Sequence, residues 1–281
     1  PMPIHDQGYR HYTGERIPPG HRWAVILKAG VRAMLGRKTF IGLLLLAWAP
    51  FVVRAVQIYL AVNLPQAAAI LRVTPGMFKD FLLQQDIFVF FITVYVGAGL
   101  IANDRRANAL QIYLSKPLTR IEYIAGKLAI LMTFVLLVTG VPALVLLLVH
   151  VLFAGDLTFF NNNLHLIPAI VLFSLLQALT ASAAMLALSS LSKSARYVAV
   201  LYTAVIFLTQ AIYGVLRAIT GDTTVAWVSV SGNLTQLAGV LFRVPLEYKT
   251  PWPLSMAVII GVIAACGVIL ERRVRAVEVV T

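Results

Sequence analysis

The chain has 281 residues, 60% of them hydrophobic and 12% charged, with a mean hydropathy of +0.86 and a formal net charge of +12. A soluble domain is nearer half apolar and a quarter charged, and several apolar runs here exceed the ~18 residues that mark a membrane-spanning helix. The composition therefore excludes an ordinary soluble domain, and the positive charge is read as the cytoplasmic bias of membrane-protein loops rather than as a nucleic-acid surface.

Residues 1–20 are polar and end in Pro18, Pro19 and Gly20, which predicts an extended cytoplasmic lead. No cleavable signal peptide is expected, because the first apolar run is too long and lacks a small-residue cleavage site. In residues 21–37, Trp23, Ile26, Leu27, Val31, Met34 and Leu35 recur at helical spacing while Arg22, Lys28 and Arg32 take another face. That pattern predicts an amphipathic helix in the membrane interface, with the cytoplasmic start of the first span as the plainer reading.

Span one is expected over 39–62, interrupted by Pro50 and holding Arg54 and Gln57. Residues 63–85 read as a loop with a short helix after Pro75-Gly76. Span two follows over 86–102, span three over 124–153, span four over 167–191, span five over 196–219 and span six over 253–270. Between spans five and six, Val225 to Phe242 is too apolar for a loop and too interrupted by Gly232, Asn233 and Gly239 for a span, so an outer re-entrant or interfacial hairpin is expected. The fold class is thus all-α membrane protein: residues 1–38 form a lead and amphipathic helix, and 39–281 a single six-span domain. Seventeen Lys and Arg fall on the side of both termini and five on the other, which places both termini in the cytoplasm.

The stretch between spans two and three, IANDRRANALQIYLSKPLTRIEYIAGK (101–127), is too patterned for a plain loop. Arg105, Arg106, Lys116, Arg120 and Lys127 oppose Asp104 and Glu122. Leu110, Tyr113 and Leu114 lie three and four apart on one face of a short helix that Pro117 stops. An apolar face with a basic rim suits a groove on a partner protein; lipid headgroups are the competing partner.

This run resembles the signature of ABC-2 type permeases, the membrane subunits of one class of ATP-binding-cassette exporters. Asp104-Arg105 matches the family's acidic-basic pair, and Leu110, Leu114, Ser115, Pro117, Arg120, Tyr123, Gly126 and Lys127 follow in order. Two positions depart from the pattern: Asp104 stands where Glu is more usual, and Asn108-Ala109 where Gly-Thr is usual. The resemblance implies that Asp104, Arg105, Arg106, Leu110, Tyr113, Leu114, Pro117, Arg120, Tyr123 and Lys127 form a coupling element. In the family that segment enters a groove on a separate ATPase subunit, whose ATP-driven closure pushes on it. It further implies two ATPase copies holding ATP and Mg, a second permease copy or a related permease, and residence in a bacterial inner or plasma membrane. No phosphate loop of the form G-x-x-x-x-G-K-[ST] is present, since Gly126-Lys127 is followed by Leu128 and lacks the upstream Gly. No cofactor is therefore expected on this chain.

Arg54 is the one charge well inside a span, and Asp86 begins span two on the same outer half. A pair between them near the end of a pathway is expected, with snorkelling of Arg54 as the alternative. Gln57, Gln177 and Gln210 could line the path or bond neighbouring helices, and the small residues of Ala178 to Ala184 favour close packing. The single Cys266 excludes an intramolecular disulfide, and the five His show no metal-cluster spacing. A membrane-embedded enzyme or proton-coupled carrier would need acidic or nucleophilic groups in the spans, yet no acidic residue lies in 128–154, 167–191 or 197–220. A non-transporting anchor or mechanotransmission subunit remains open at this level.

Overall fold

A computed structural model of the chain describes residues 21–64, 66, 71–109, 118–155 and 157–274. Among them there is no strand. Six helical segments are long and apolar enough to cross a membrane: Lys38–Asn63, Pro75–Arg106, Arg120–Ala154, Leu166–Leu191, Ala195–Thr220 and Trp252–Arg273. They match the six predicted spans in order, and the differences lie at their ends and breaks.

Three spans are segmented, and in two of them a proline explains the break. Span one divides at Trp48, where Pro50 sits in the first turn of the second half; in a continuous helix its ring would clash with the carbonyl of Leu46. Span three divides at Thr139, because Pro142 offers no N–H to Val138. Span two runs as Pro75–Gln84 and Asp86–Ile92, then a π-helical turn over Thr93–Gly97, then a short helix over Ala102–Arg106. Gly97 lies in the π turn because a Cβ there would collide with Met185 of span four and come within 3.0 Å of Leu131 of span three.

The short helix expected after Pro75-Gly76 is present as Pro75–Gln84, and the boundary expected at 86 is corrected, since this helix continues into span two. Its polar run hid this from hydropathy. Lys79 and Gln85 are 7% and 0% exposed, and each has a polar partner inside the bundle. Lys79 Nζ lies 2.6 Å from Glu247 Oε1, and Gln85 Nε2 donates to the Ala47 carbonyl at 3.2 Å.

Span four is the packing axis. In its most apolar stretch 61% of residues are buried, against 17% in spans one, five and six. Its buried positions are rich in small side chains, among them Ala178, Ser182, Ala183, Ala187, Ser189 and Ser190, which let neighbouring backbones approach. Two apolar clusters form around the spans. One, at the Asp104 end, includes Phe40, Ile101, Tyr123, Phe134, Leu186 and Leu270. The other, at the opposite end, includes Ile58, Phe81, Leu146, Phe173, Phe242 and Ile259.

The predicted amphipathic helix is present as Trp23–Leu35 and lies along span three. Gly126 makes the contact possible: a Cβ there would sit 2.8 Å from Ile26 Cβ and 3.0 Å from the Trp23 carbonyl oxygen. Between spans five and six a 3₁₀ turn, Thr224–Val228, precedes one helix, Val230–Leu241, packed against span six. Its face is polar yet buried. Gln236 Nε2 donates to the carbonyls of Tyr248 and Thr250 at 3.0 and 2.6 Å, and its Oε1 accepts from Tyr248 N at 3.3 Å. Gln236→Ala would strip three bonds from a side chain 1% exposed. We expect it to destabilise the detergent-solubilised protein by roughly 2–4 kcal/mol, read as a fall in thermal midpoint.

Candidate functional site

The patterned stretch has two stems, the end of span two and the start of span three, and the structure joins them. Tyr123 Oη donates to Asp104 Oδ2 at 2.7 Å, and Lys127 Nζ lies 2.7 Å from the same oxygen. The Lys127 ammonium also sits 5.4 Å from the centre of the Tyr123 ring. Tyr123 and Lys127 are one helical turn apart and so present one face to Asp104. The pair is largely enclosed, with side chains 19% and 10% exposed, and Tyr123 is fully buried. Its geometry is that of a charge-assisted bond with a further hydroxyl donor, the arrangement that makes an enclosed ion pair tolerable.

Each stem has its own fastening. On the span-two side the backbone turns at 98–101, leaving N–H groups with no helical acceptor. Ser189 of span four supplies one: its Oγ accepts from Ile101 N at 3.2 Å and Ala102 N at 3.0 Å while donating to Ala98 O at 3.0 Å. Arg105 then donates to the Ser190 carbonyl. On the span-three side Thr119 and Glu122 form a capping box. Thr119 Oγ1 accepts from Glu122 N at 3.2 Å, and Glu122 Oε2 accepts from Thr119 N at 2.9 Å. The spacing Thr-x-x-Glu was legible in the sequence; the role of Ser189 was not.

Asn108 resolves one departure from the family pattern. Its φ is +51°, in the left-handed region, where Gly is free of strain and Asn is among the few other residues tolerated. A Gly here would meet the same backbone demand as this Asn. Arg106 and Arg120 are exposed at the two stems. Leu110, Tyr113, Leu114 and Pro117 lie outside the described residues.

The residues proposed for a pathway divide into two groups. Asp86, Gln177 and Gln210 share the wall of one cavity of about 570 Å³ between spans two, four, five and six. Gln177 Nε2 donates to Asp86 Oδ1 at 2.5 Å, and Gln210 Oε1 accepts from Ser229 Oγ at 2.6 Å. Arg54 and Gln57 are elsewhere. The expected Arg54–Asp86 pair is corrected: Arg54 donates to Gln57 Oε1 at 3.0 Å and Gln84 Oε1 at 3.5 Å, and no ion pair reaches Asp86 among the described residues. The physical reason is helical phase. Gln84 and Asp86 are two residues apart and point to nearly opposite sides, so Arg54 meets the first and span four the second. Sequence reasoning missed the aromatic wall of this cavity, Phe90, Tyr202 and Phe207, because aromatics on apolar helices look alike whether they face lipid or a cavity.

Six apolar spans with a fastened connection between spans two and three define a polytopic α-helical membrane protein. Over residues 78–270 the sequence matches the family described as ABC-2 family transporter protein, and the chain belongs to that family. No curated protein matches the chain.

The Asp104 cluster yields two expectations. Lys127→Met should leave Asp104 enclosed without its cation and cost roughly 2–4 kcal/mol of stability, somewhat less than for a fully buried pair, measured by thermal unfolding in detergent. At 108, Asn108→Gly should be neutral, whereas Asn108→Val should cost about 1–2 kcal/mol in the same assay.

Proposed function

We propose that the chain is the membrane subunit of an ABC exporter that converts ATP hydrolysis on a separate ATPase into movement of cargo. ABC-2 permeases normally work with such an ATPase. The observation that carries the reading is the double fastening of the 101–127 stretch. Asp104 joins the two stems through Tyr123 and Lys127, while Ser189 and Ser190 anchor the first stem to span four. A force on the intervening segment would reach spans two, three and four together instead of being absorbed by a slack loop.

In this reading the 107–119 segment faces the cytoplasm with both termini, and Leu110, Tyr113 and Leu114 seat in the ATPase groove. Arg106 and Arg120 flank that seat and bond its acidic rim. Ile121, 79% exposed in the first turn of span three, extends the apolar contact. Two ATPase subunits bind ATP and Mg and serve two permease chains, each contributing half of the pathway. The Asp86–Gln177 cavity belongs to that pathway, in the cell membrane of a bacterium.

The test is Leu110→Asp or Leu114→Asp in a complex reconstituted with the ATPase. The expected result is a folded permease whose partner is lost or whose ATP hydrolysis no longer moves cargo. Survival of both co-purification and transport would show that this is not the docking face. A wild-type complex that hydrolyses ATP and moves nothing across a panel of cargoes would instead favour an anchoring subunit.

A further inference from the structure

The cavity between spans two, four, five and six has an unbalanced charge pattern. Among the described residues, Asp86 is the one acidic residue in its wall, and no Lys, Arg or His lines it. The hydrogen-bond partner of Asp86 is the neutral amide of Gln177, at 2.5 Å, and among the described residues no cation pairs with it. A carboxylate at membrane depth ordinarily faces a cationic partner or water, because an unpaired charge in apolar surroundings is costly. Here the described residues provide no such cation.

Beside that carboxylate lies an aromatic wall. Phe90 stacks on Tyr202 at 6.0 Å between ring centres and meets Phe207 edge-to-face at 5.9 Å, and all three rings line the cavity. Aromatic faces attract cations through their quadrupole, most strongly where water is excluded. Phe207 is 62% exposed on the outer side of span five, so this wall reaches the face from which an amphiphile in the bilayer would approach. Apolar surface, aromatic rings, one carboxylate and no positive charge together select against anions and for a bulky lipophilic cation.

We infer that this cavity binds monovalent lipophilic cations, with Asp86 as the counter-ion and Phe90, Tyr202 and Phe207 as the surface that holds the apolar body. The inference rests on the permease reading for its meaning as a cargo site, but binding itself requires neither ATP nor an ATPase. Gln177 holds the Asp86 carboxylate in place, so it is a positioning residue. Asp86→Asn keeps an oxygen acceptor for Gln177 and removes only the charge, which makes it the informative variant.

The experiment uses the full chain in lipid nanodiscs, with empty nanodiscs as the partition control. Two probes of nearly the same shape and opposite charge, tetraphenylphosphonium and tetraphenylborate, are compared by equilibrium dialysis. Saturable phosphonium binding is expected, weakened at least about tenfold in Asp86→Asn and retained in Asp86→Glu. Phe207→Ala, at an exposed position where folding is not at risk, should weaken it about two- to fivefold. The borate should show no saturable binding. Phosphonium binding no greater than in empty nanodiscs, equal binding by Asp86→Asn, or equal binding of the borate would overturn the inference. Loss of phosphonium binding with coupling to the ATPase intact would reject the cation site alone. Intact binding without ATP-driven coupling would reject the permease reading alone.

Discussion

Asp104 is held by two residues one turn apart on the next span, and the junction of spans two and three depends on that contact. Tyr123 and Lys127 both reach the same carboxylate oxygen at 2.7 Å. Without it, the 107–119 segment would hang between two independent helix ends. With it, the segment begins and ends at a single point. An ion pair so enclosed adds little net stability against an apolar replacement, because each charge loses its water. Its contribution is geometric: a shared carboxylate fixes the register of spans two and three where the chain leaves and re-enters the bundle. Gly126 belongs to the same arrangement, since its missing side chain lets the Trp23–Leu35 helix lie against span three beside Lys127.

Span four holds the span-two side of that junction. Ser189 ends the disturbed backbone of span two by supplying the acceptor that Ile101 and Ala102 lack, and the Ser190 carbonyl takes Arg105. About three turns further along the same helix, Gln177 holds Asp86 at the wall of the cavity. One rigid helix therefore touches both the stem of the patterned segment and the candidate cargo site. The π turn at Thr93–Gly97 lies between these contacts on span two, where an irregular helix can change its local winding more readily than a regular one.

Much of this was readable from residue order, and the limits have physical causes. The six spans follow from hydropathy because a helix in lipid must carry its apolar surface itself. The family pattern identified Asp104, Tyr123 and Lys127 individually, yet nothing in the linear sequence shows that they meet at one oxygen. Hydropathy separated the short helix after Pro75-Gly76 from span two because Lys79 and Gln85 look like loop residues until Lys79 is seen to reach Glu247 and Gln85 Nε2 the Ala47 carbonyl. The Arg54–Asp86 pairing failed on helical phase, a matter of two residues. The buried polar face of Val230–Leu241 was read as an interruption; Asn233 and Gln236 instead bond the backbone of the connections on either side of that helix.

Under the proposed function, the Asp104–Lys127 contact couples the 107–119 segment to the spans. A double-mutant cycle tests it most directly, with Asp104→Asn, Lys127→Met and both together in complexes reconstituted with the ATPase, comparing ATP hydrolysis and transport in the same vesicles. Strong coupling is predicted: each single variant hydrolyses ATP but loses most transport, and the double variant is no worse than either single one. Transport losses that simply multiply, or single variants that transport as well as the unaltered protein, would contradict the account.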